Sequence, residues 1–133
     1  MVSLRGFDIQ NDYATLDEWW RGHGADHAPD PLYLSSTGLV AEVDHKPVAM
    51  IFMYHTNSGI CHAEFFTVNP KASKKDRELG LEKIIEASKN WAKVVGYKLI
   101  YVSTNERKYI KRLESSGFEV KDKNMIHCFY DVV

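Results

Sequence analysis

The chain has 133 residues, of which 44% are hydrophobic and 26% charged, with a formal net charge of −1. This length and composition give one globular domain with a single real core and exclude a disordered chain. A charge balance so near neutral argues against bulk nucleic-acid binding, which needs a basic surplus.

Residues 3–9 (SLRGFDI) form a first short strand, with Leu4, Phe7 and Ile9 as its apolar content. A short helix follows, capped by Thr15 with Glu18 at capping-box spacing or, alternatively, by Asp12. Leu16, Trp19 and Trp20 share its apolar face, and Gly22 ends it. From His23 to Thr37 there is no period, and Pro29 and Pro31 break any helix. A loop this long fits a flexible wall or lid over a substrate site. His23 and His27 lie four apart near Asp26 and Asp30, a spacing that invites a metal reading but fixes no common face.

Gly38 to Thr56 reads as a hairpin turning around Asp44-His45-Lys46, and its second arm is apolar almost throughout, as in a strand covered on both faces. After the Asn57-Ser58-Gly59 turn, ICHAEFFTVN is a third strand. Alternation puts Ile60, His62, Glu64, Phe66 and Val68 on one of its faces. Glu64 is the anomaly: a carboxylate inside an apolar strand must find a partner, face a wet cleft or shift its pKa. A structural ion pair and a general base both fit the pattern.

Val68 to Gly96 contains the best-patterned helix. Leu81, Ile84, Ile85, Ser88, Trp91, Ala92 and Val95 recur at helical spacing, and Gly96 stands where a left-handed stop belongs. Lys71, Lys74, Lys75 and Arg77 crowd its N-terminal end, where the helix dipole favours an anion such as phosphate; a solvated lysine loop is the plainer reading. YKLIYVSTN is the next strand, Arg107–Ser116 a helix with Tyr109, Ile110 and Leu113 inward, and FEVKDKNMIHCFYDVV a last hairpin. Its strand MIHCFYDVV is apolar enough to pair across a homodimer. The order β-α-β-β-β-α-β-α-β-β describes an α/β (α+β) domain whose mixed sheet carries helices on both faces.

Cys61 and Cys128 lie in apolar runs and read as structural thiols. The opening MVSLRGFDIQ lacks a signal-peptide core and no run approaches membrane-spanning length, so the expected location is cytoplasmic.

The chain resembles the GCN5-related N-acetyltransferase (GNAT) superfamily over essentially its full length. Val68-Asn69-Pro70 is similar to the family's turn after the core strand, and Arg77-Glu78-Leu79-Gly80 to the loop that opens its long helix. Thr104-Asn105 and Gly117-Phe118 match the later strand end and the G-F that closes the following helix. The Trp-Trp start, the GLVAEV strand and the N-P turn look most like compact members encoded by bacteria and tailed bacteriophages, which would place a phage protein in the host cytoplasm.

The resemblance implies a twisted, mostly antiparallel sheet of six to seven strands and acetyl-coenzyme A as co-substrate, with no metal. It implies Glu64 as base and a tyrosine, here Tyr109, as acid. Phe66, Val68, Lys75, Arg77, Glu78, Leu79, Gly80 and Asn105 are the implied cofactor contacts, with the amides of the Arg77–Gly80 loop cradling the pyrophosphate. Trp20, His23, Asp26 and Tyr33 would wall the acceptor side, for a small amine or for a protein lysine or N-terminus. Two positions depart from the pattern: Glu82 replaces the second motif glycine, and Leu113 stands where the tyrosine is usual, one helical turn after Tyr109. A catalytically weak or inactive module that binds coenzyme A or a host protein is the alternative reading.

Overall fold

Side chains alternating along one central strand divide the protein into two cores. In the computed structural model, which describes residues 1–132, five strands lie side by side in chain order. They are β1 (Val2–Gly6), β2 (Gly38–Val43), β3 (Lys46–Tyr54), β4 (Ile60–Val68) and β5 (Leu99–Tyr101). The first three pairings are antiparallel and β4–β5 is parallel. The helices are α1 (Ile9–Gly22), α2 (Lys74–Val95), which makes the crossover between the parallel strands, and α3 (Arg107–Ser115).

Val48 to Met53 are all buried, as the unbroken apolar run requires for a strand covered on both faces. Ala49, Ile51 and Met53 face α2 and α3, where Leu81, Ile84, Ile85, Tyr109 and Leu113 close the larger core. Met50 and Phe52 face the other way and pack with Leu16, Trp19 and Ala28. Each fully buried side chain of this size contributes about 2 kcal/mol through removal from water.

Local chemistry sets the element boundaries. Asp8, not Thr15 or Asp12, caps α1, its carboxylate accepting from the Gln10 amide. Asp12 is instead buried in a two-pronged ion pair with Arg5, at 2.8 and 2.9 Å. Asp44 and His45 both have positive φ, the geometry of a two-residue hairpin turn that follows the strand twist. Ser73 caps α2, and Gly96 ends it in the left-handed conformation at φ 107°.

The 23–37 loop is not a free lid. Ala28 is fully buried in the smaller core, its amide bonds Asp17, and the Pro29 carbonyl accepts from Tyr13.

Two expectations about strands are corrected. The described residues contain a five-stranded sheet, not six or seven strands, and β5 is three residues long. The closing hairpin is not formed among the described residues: 119–132 carry no strand, and Ile126, Phe129 and Tyr130 are exposed. Cys128 is exposed there, whereas Cys61 is buried in β4 as expected. Without a face to cover them, the apolar residues of this segment gain nothing from an extended conformation.

Candidate active site

The site begins with a defect in β4. Met50 pairs with Thr67 but Phe52 pairs with Glu64, so β4 carries one residue more than β3 over this span. The surplus is absorbed at Phe65, whose φ of 57° is left-handed and strained for a non-glycine residue. On the other edge, β4 and β5 stay in register only from Ile60–Leu99 to His62–Tyr101. Beyond His62, β4 runs on to Val68 while β5 has ended, so this edge of β4 is left without a strand partner, a gap in the sheet that forms the wedge of the site. The bulge and the wedge meet at residues 63–68, and Glu64 lies between them.

Glu64 is 24% exposed. Burial pushes its carboxyl up to about 7, an effect the main chain at Ser103 only partly offsets. The nearest cationic candidate is His62, whose Nδ1 stands 4.0 Å from Oε1. Tyr109 enters from α3, its ring 4.4 Å from that of Phe66 in a stacked pair. Burial first, and then the charge of Glu64, raise the Tyr109 phenol. Its ring is buried, and its hydroxyl is not among buried polar atoms left without a partner. Tyr109 and Leu113 are both inward on α3, so the family's usual tyrosine position is filled by packing.

The cofactor motif is in a different setting from the one expected. α2 begins at Lys74, so Arg77 to Gly80 lie inside the helix, and the Arg77 amide already bonds the Ser73 carbonyl at 2.9 Å. Those amides cannot cradle a pyrophosphate. The first-turn amides without a described partner are those of Lys74 and Lys75, because the Asp76 amide bonds the Ser73 hydroxyl. Gly80 serves packing: a Cβ there would stand 2.5 Å from Val48 Cγ2. Leu79 joins the larger core, Glu78 and Lys75 are exposed, and Arg77 Nη1 bonds the Pro70 carbonyl. Asn105 is exposed just before α3. The helical pattern of Lys74–Asp76, with Ser73 three residues before Asp76, was a signal for the earlier start.

The acceptor-side residues divide. Trp20 Nε1 donates to Thr67 Oγ1 at 2.9 Å, and His23 Nε2 lies 2.7 Å from the Val68 carbonyl, so α1 is anchored to the end of β4. Asp26 and Tyr33 are exposed, and the Tyr33 carbonyl accepts from Tyr54. Tyr54, which sequence reading did not single out, faces Glu64 from β3 and its phenol is raised, mainly by burial. Among the described residues no group of three metal-ligating side chains converges.

The structure resembles several acetyltransferases end to end. Glucosamine-6-phosphate N-acetyltransferase from Arabidopsis thaliana superposes with a TM-score of 0.68 at 14% identity, covering 98% of this chain and 99% of that one. An aminoglycoside acetyltransferase from an uncultured soil metagenomic sample gives 0.66 at 13% identity, covering 99% and 97%. Ribosomal-protein-alanine N-acetyltransferase from Brucella melitensis biovar Abortus 2308 gives 0.69 at 13% identity, covering 96% and 99%. No protein-family model and no curated protein matches by sequence. The chain has the GNAT fold.

Proposed function

We propose that this protein is an N-acetyltransferase that moves an acetyl group from acetyl-coenzyme A to an amine. The observation that carries the reading is Glu64, a carboxylate without a lysine or arginine partner among the described residues, set at the β4 bulge where β5 ends and on the strand that Tyr109 packs against through Phe66. An alkylammonium has a pKa near about 10 and must lose a proton before it can attack a thioester. A carboxylate with a pKa of about 7 is suited to take it near neutral pH. The unpaired main chain of β4 past His62 offers hydrogen-bonding groups to an extended arm, and a donor there polarises a thioester carbonyl. Tyr109 can give its proton to the departing thiolate. The phosphates would meet the Lys74 and Lys75 amides and the side chains of Lys71, Lys74, Lys75 and Arg77.

The acceptor is a small amine or a protein lysine or N-terminus; the names of the structural relatives, which carry an aminoglycoside, glucosamine-6-phosphate and a ribosomal-protein alanine, support both a small-molecule and a protein acceptor. Among the described residues no helix is long and apolar enough to cross a membrane. A cytoplasmic setting, a phage origin and a homodimer joined through the C-terminal segment complete the proposal; sedimentation tests the last.

A second reading, a module that binds coenzyme A or a host protein with little turnover, is favoured by the engaged amides of Arg77–Gly80. Calorimetry with acetyl-coenzyme A, followed by thiol release with an amine panel, separates the two. Binding with no release at any pH would favour the module. Absence of binding at millimolar ligand would defeat both coenzyme readings.

A further inference from the structure

Glu64 is largely withdrawn from water, and one neighbouring side chain can relay its proton outward. Tyr54 from β3 and Tyr109 from α3 face it, and the main chain at Ser103 touches it from beyond β5. Both phenols are already protonated near neutral pH, since their shifts are upward, so neither accepts a proton from a carboxylic acid. No lysine or arginine pairs with Glu64 among the described residues.

His62 remains. It lies two residues earlier on the same strand, before the bulge at Phe65 reverses the alternation, so both side chains project from one face. Its Nδ1 is 4.0 Å from Glu64 Oε1, and the ring is 42% exposed against 24% for the carboxylate. The Tyr101 ring lies alongside at 5.6 Å, at the last register pair that β4 and β5 share. The imidazole is therefore held at the opening of the wedge, with one edge toward Glu64 and the other toward water. Closing the gap to the roughly 2.8 Å of a charge-assisted hydrogen bond takes a small side-chain adjustment.

We propose that Glu64 and His62 form a proton-sharing pair through which the partly buried carboxyl exchanges its proton with solvent. The pair rests on the transferase reading only for its use in turnover. In that use, the Glu64 carboxylate takes one proton from the substrate ammonium and becomes a carboxylic acid. Its O–H proton passes to Nδ1 of the neutral imidazole. The imidazolium then releases one proton to water, and exchange at the exposed ring restores the starting tautomer. One proton enters and one leaves, and no electrons change hands. His62 acts through Glu64 and touches no substrate.

The pair is read directly by ¹³C NMR of the Glu64 side-chain carboxyl over about pH 4–9, because coupled groups titrate as a unit. In the unmutated protein the curve is broadened or has two inflections. In His62→Gln it becomes a single step displaced to higher pH, since a neighbouring positive charge no longer favours the carboxylate. Superimposable curves would overturn the pairing. If His62→Gln does not fold, His62→Phe, which keeps a ring against Tyr101, provides the same comparison. In turnover, His62→Ala slows acetyl transfer about tenfold near neutral pH, part of the roughly 10²-fold that positioned proton transfer supplies, and added imidazole restores the rate. A displaced carboxyl curve without imidazole rescue would overturn the exchange route. If the unmutated protein transfers no acetyl group, the transferase reading fails, and the carboxyl titration alone decides the pair.

Discussion

Phe66 and Tyr109 stack with their ring centroids 4.4 Å apart and their planes 24° from parallel, joining β4 to α3. This contact fixes the Tyr109 ring on the strand that carries Glu64, whose charge reaches its phenol, so the same ring serves the core and the proposed site. The two roles separate by mutation. Tyr109→Phe keeps the ring and should change unfolding free energy by less than about 1 kcal/mol while slowing acetyl transfer. Tyr109→Ala removes the ring and should cost about 3–5 kcal/mol, the usual range for truncating a buried aromatic. Urea denaturation of both variants, with turnover measured beside it, checks the pair.

Glu64 links pH to both activity and stability. Its carboxyl sits at about 7 in the folded protein, above the ordinary value of 4.5. The folded state therefore holds this proton more tightly than the unfolded chain, and the associated stability is complete below the ordinary value. It is lost as pH rises through about 7, by up to about 3 kcal/mol. Glu64→Gln should flatten this slope and raise the melting temperature at alkaline pH. Under the transferase reading, kcat/KM rises on an acid limb centred near 7. Calorimetric melts across pH and a pH–rate profile test the two halves independently.

Asp12 carries the opposite sign. Its side chain is 6% exposed and receives two hydrogen bonds from Arg5, which also reaches Glu42 at 3.0 Å. Arg5 beside it holds the Asp12 carboxyl below the usual range. That stability is present above the ordinary carboxylate value and is lost as pH falls through the lowered one. Asp12→Ala leaves the partly exposed guanidinium with Glu42 as its remaining partner and should destabilise by about 1–3 kcal/mol, the range for hydrogen bonds to charged groups. Above the acid range the deficit stays constant, and it shrinks on acidification. Equilibrium unfolding at neutral and acid pH gives both values.

Gly80 is a packing residue, and its substitution should say so. A methyl group there meets Val48 Cγ2 at 2.5 Å and Ala49 Cβ at 3.3 Å. Gly80→Ala should therefore cost about 1–3 kcal/mol through overpacking. Val48→Ala makes room, so the double mutant should recover part of that cost as a coupling energy. Affinity for acetyl-coenzyme A, measured by calorimetry on the folded variants, should follow stability and show no separate loss at Gly80.

Much of this architecture was legible because it rests on short-range rules. The period of α2 placed Leu81, Ile84, Ile85, Ser88 and Ala92 inside, and Gly96 marked its end. The apolar run 48–53 announced a central strand, and Glu64 stood out as the carboxylate in the middle of the apolar strand β4. What could not be read depends on contacts distant in sequence. The bulge at Phe65 is a mismatch between two strands and leaves no trace in either alone. The start of α2 turned on whether Ser73 or a later residue would cap, and the family motif kept Arg77 to Gly80 in the loop although they lie inside the helix. The tail looked like a hairpin because its local pattern is strand-like, but pattern without a covering face does not make a strand.

The uncovered tail bears on how copies of this protein meet in solution. A formal net charge of −1 provides little mutual repulsion near neutral pH. Met125, Ile126, Phe129, Tyr130 and Val132 are each more than two-thirds exposed, and β5 ends the sheet with Leu99 and Tyr101 half in water. Attraction between tails and open edges is then opposed by almost no long-range force. Colloidal behaviour should accordingly be governed by kosmotropic salt more than by ionic strength, with sulfate driving association at concentrations where chloride does not.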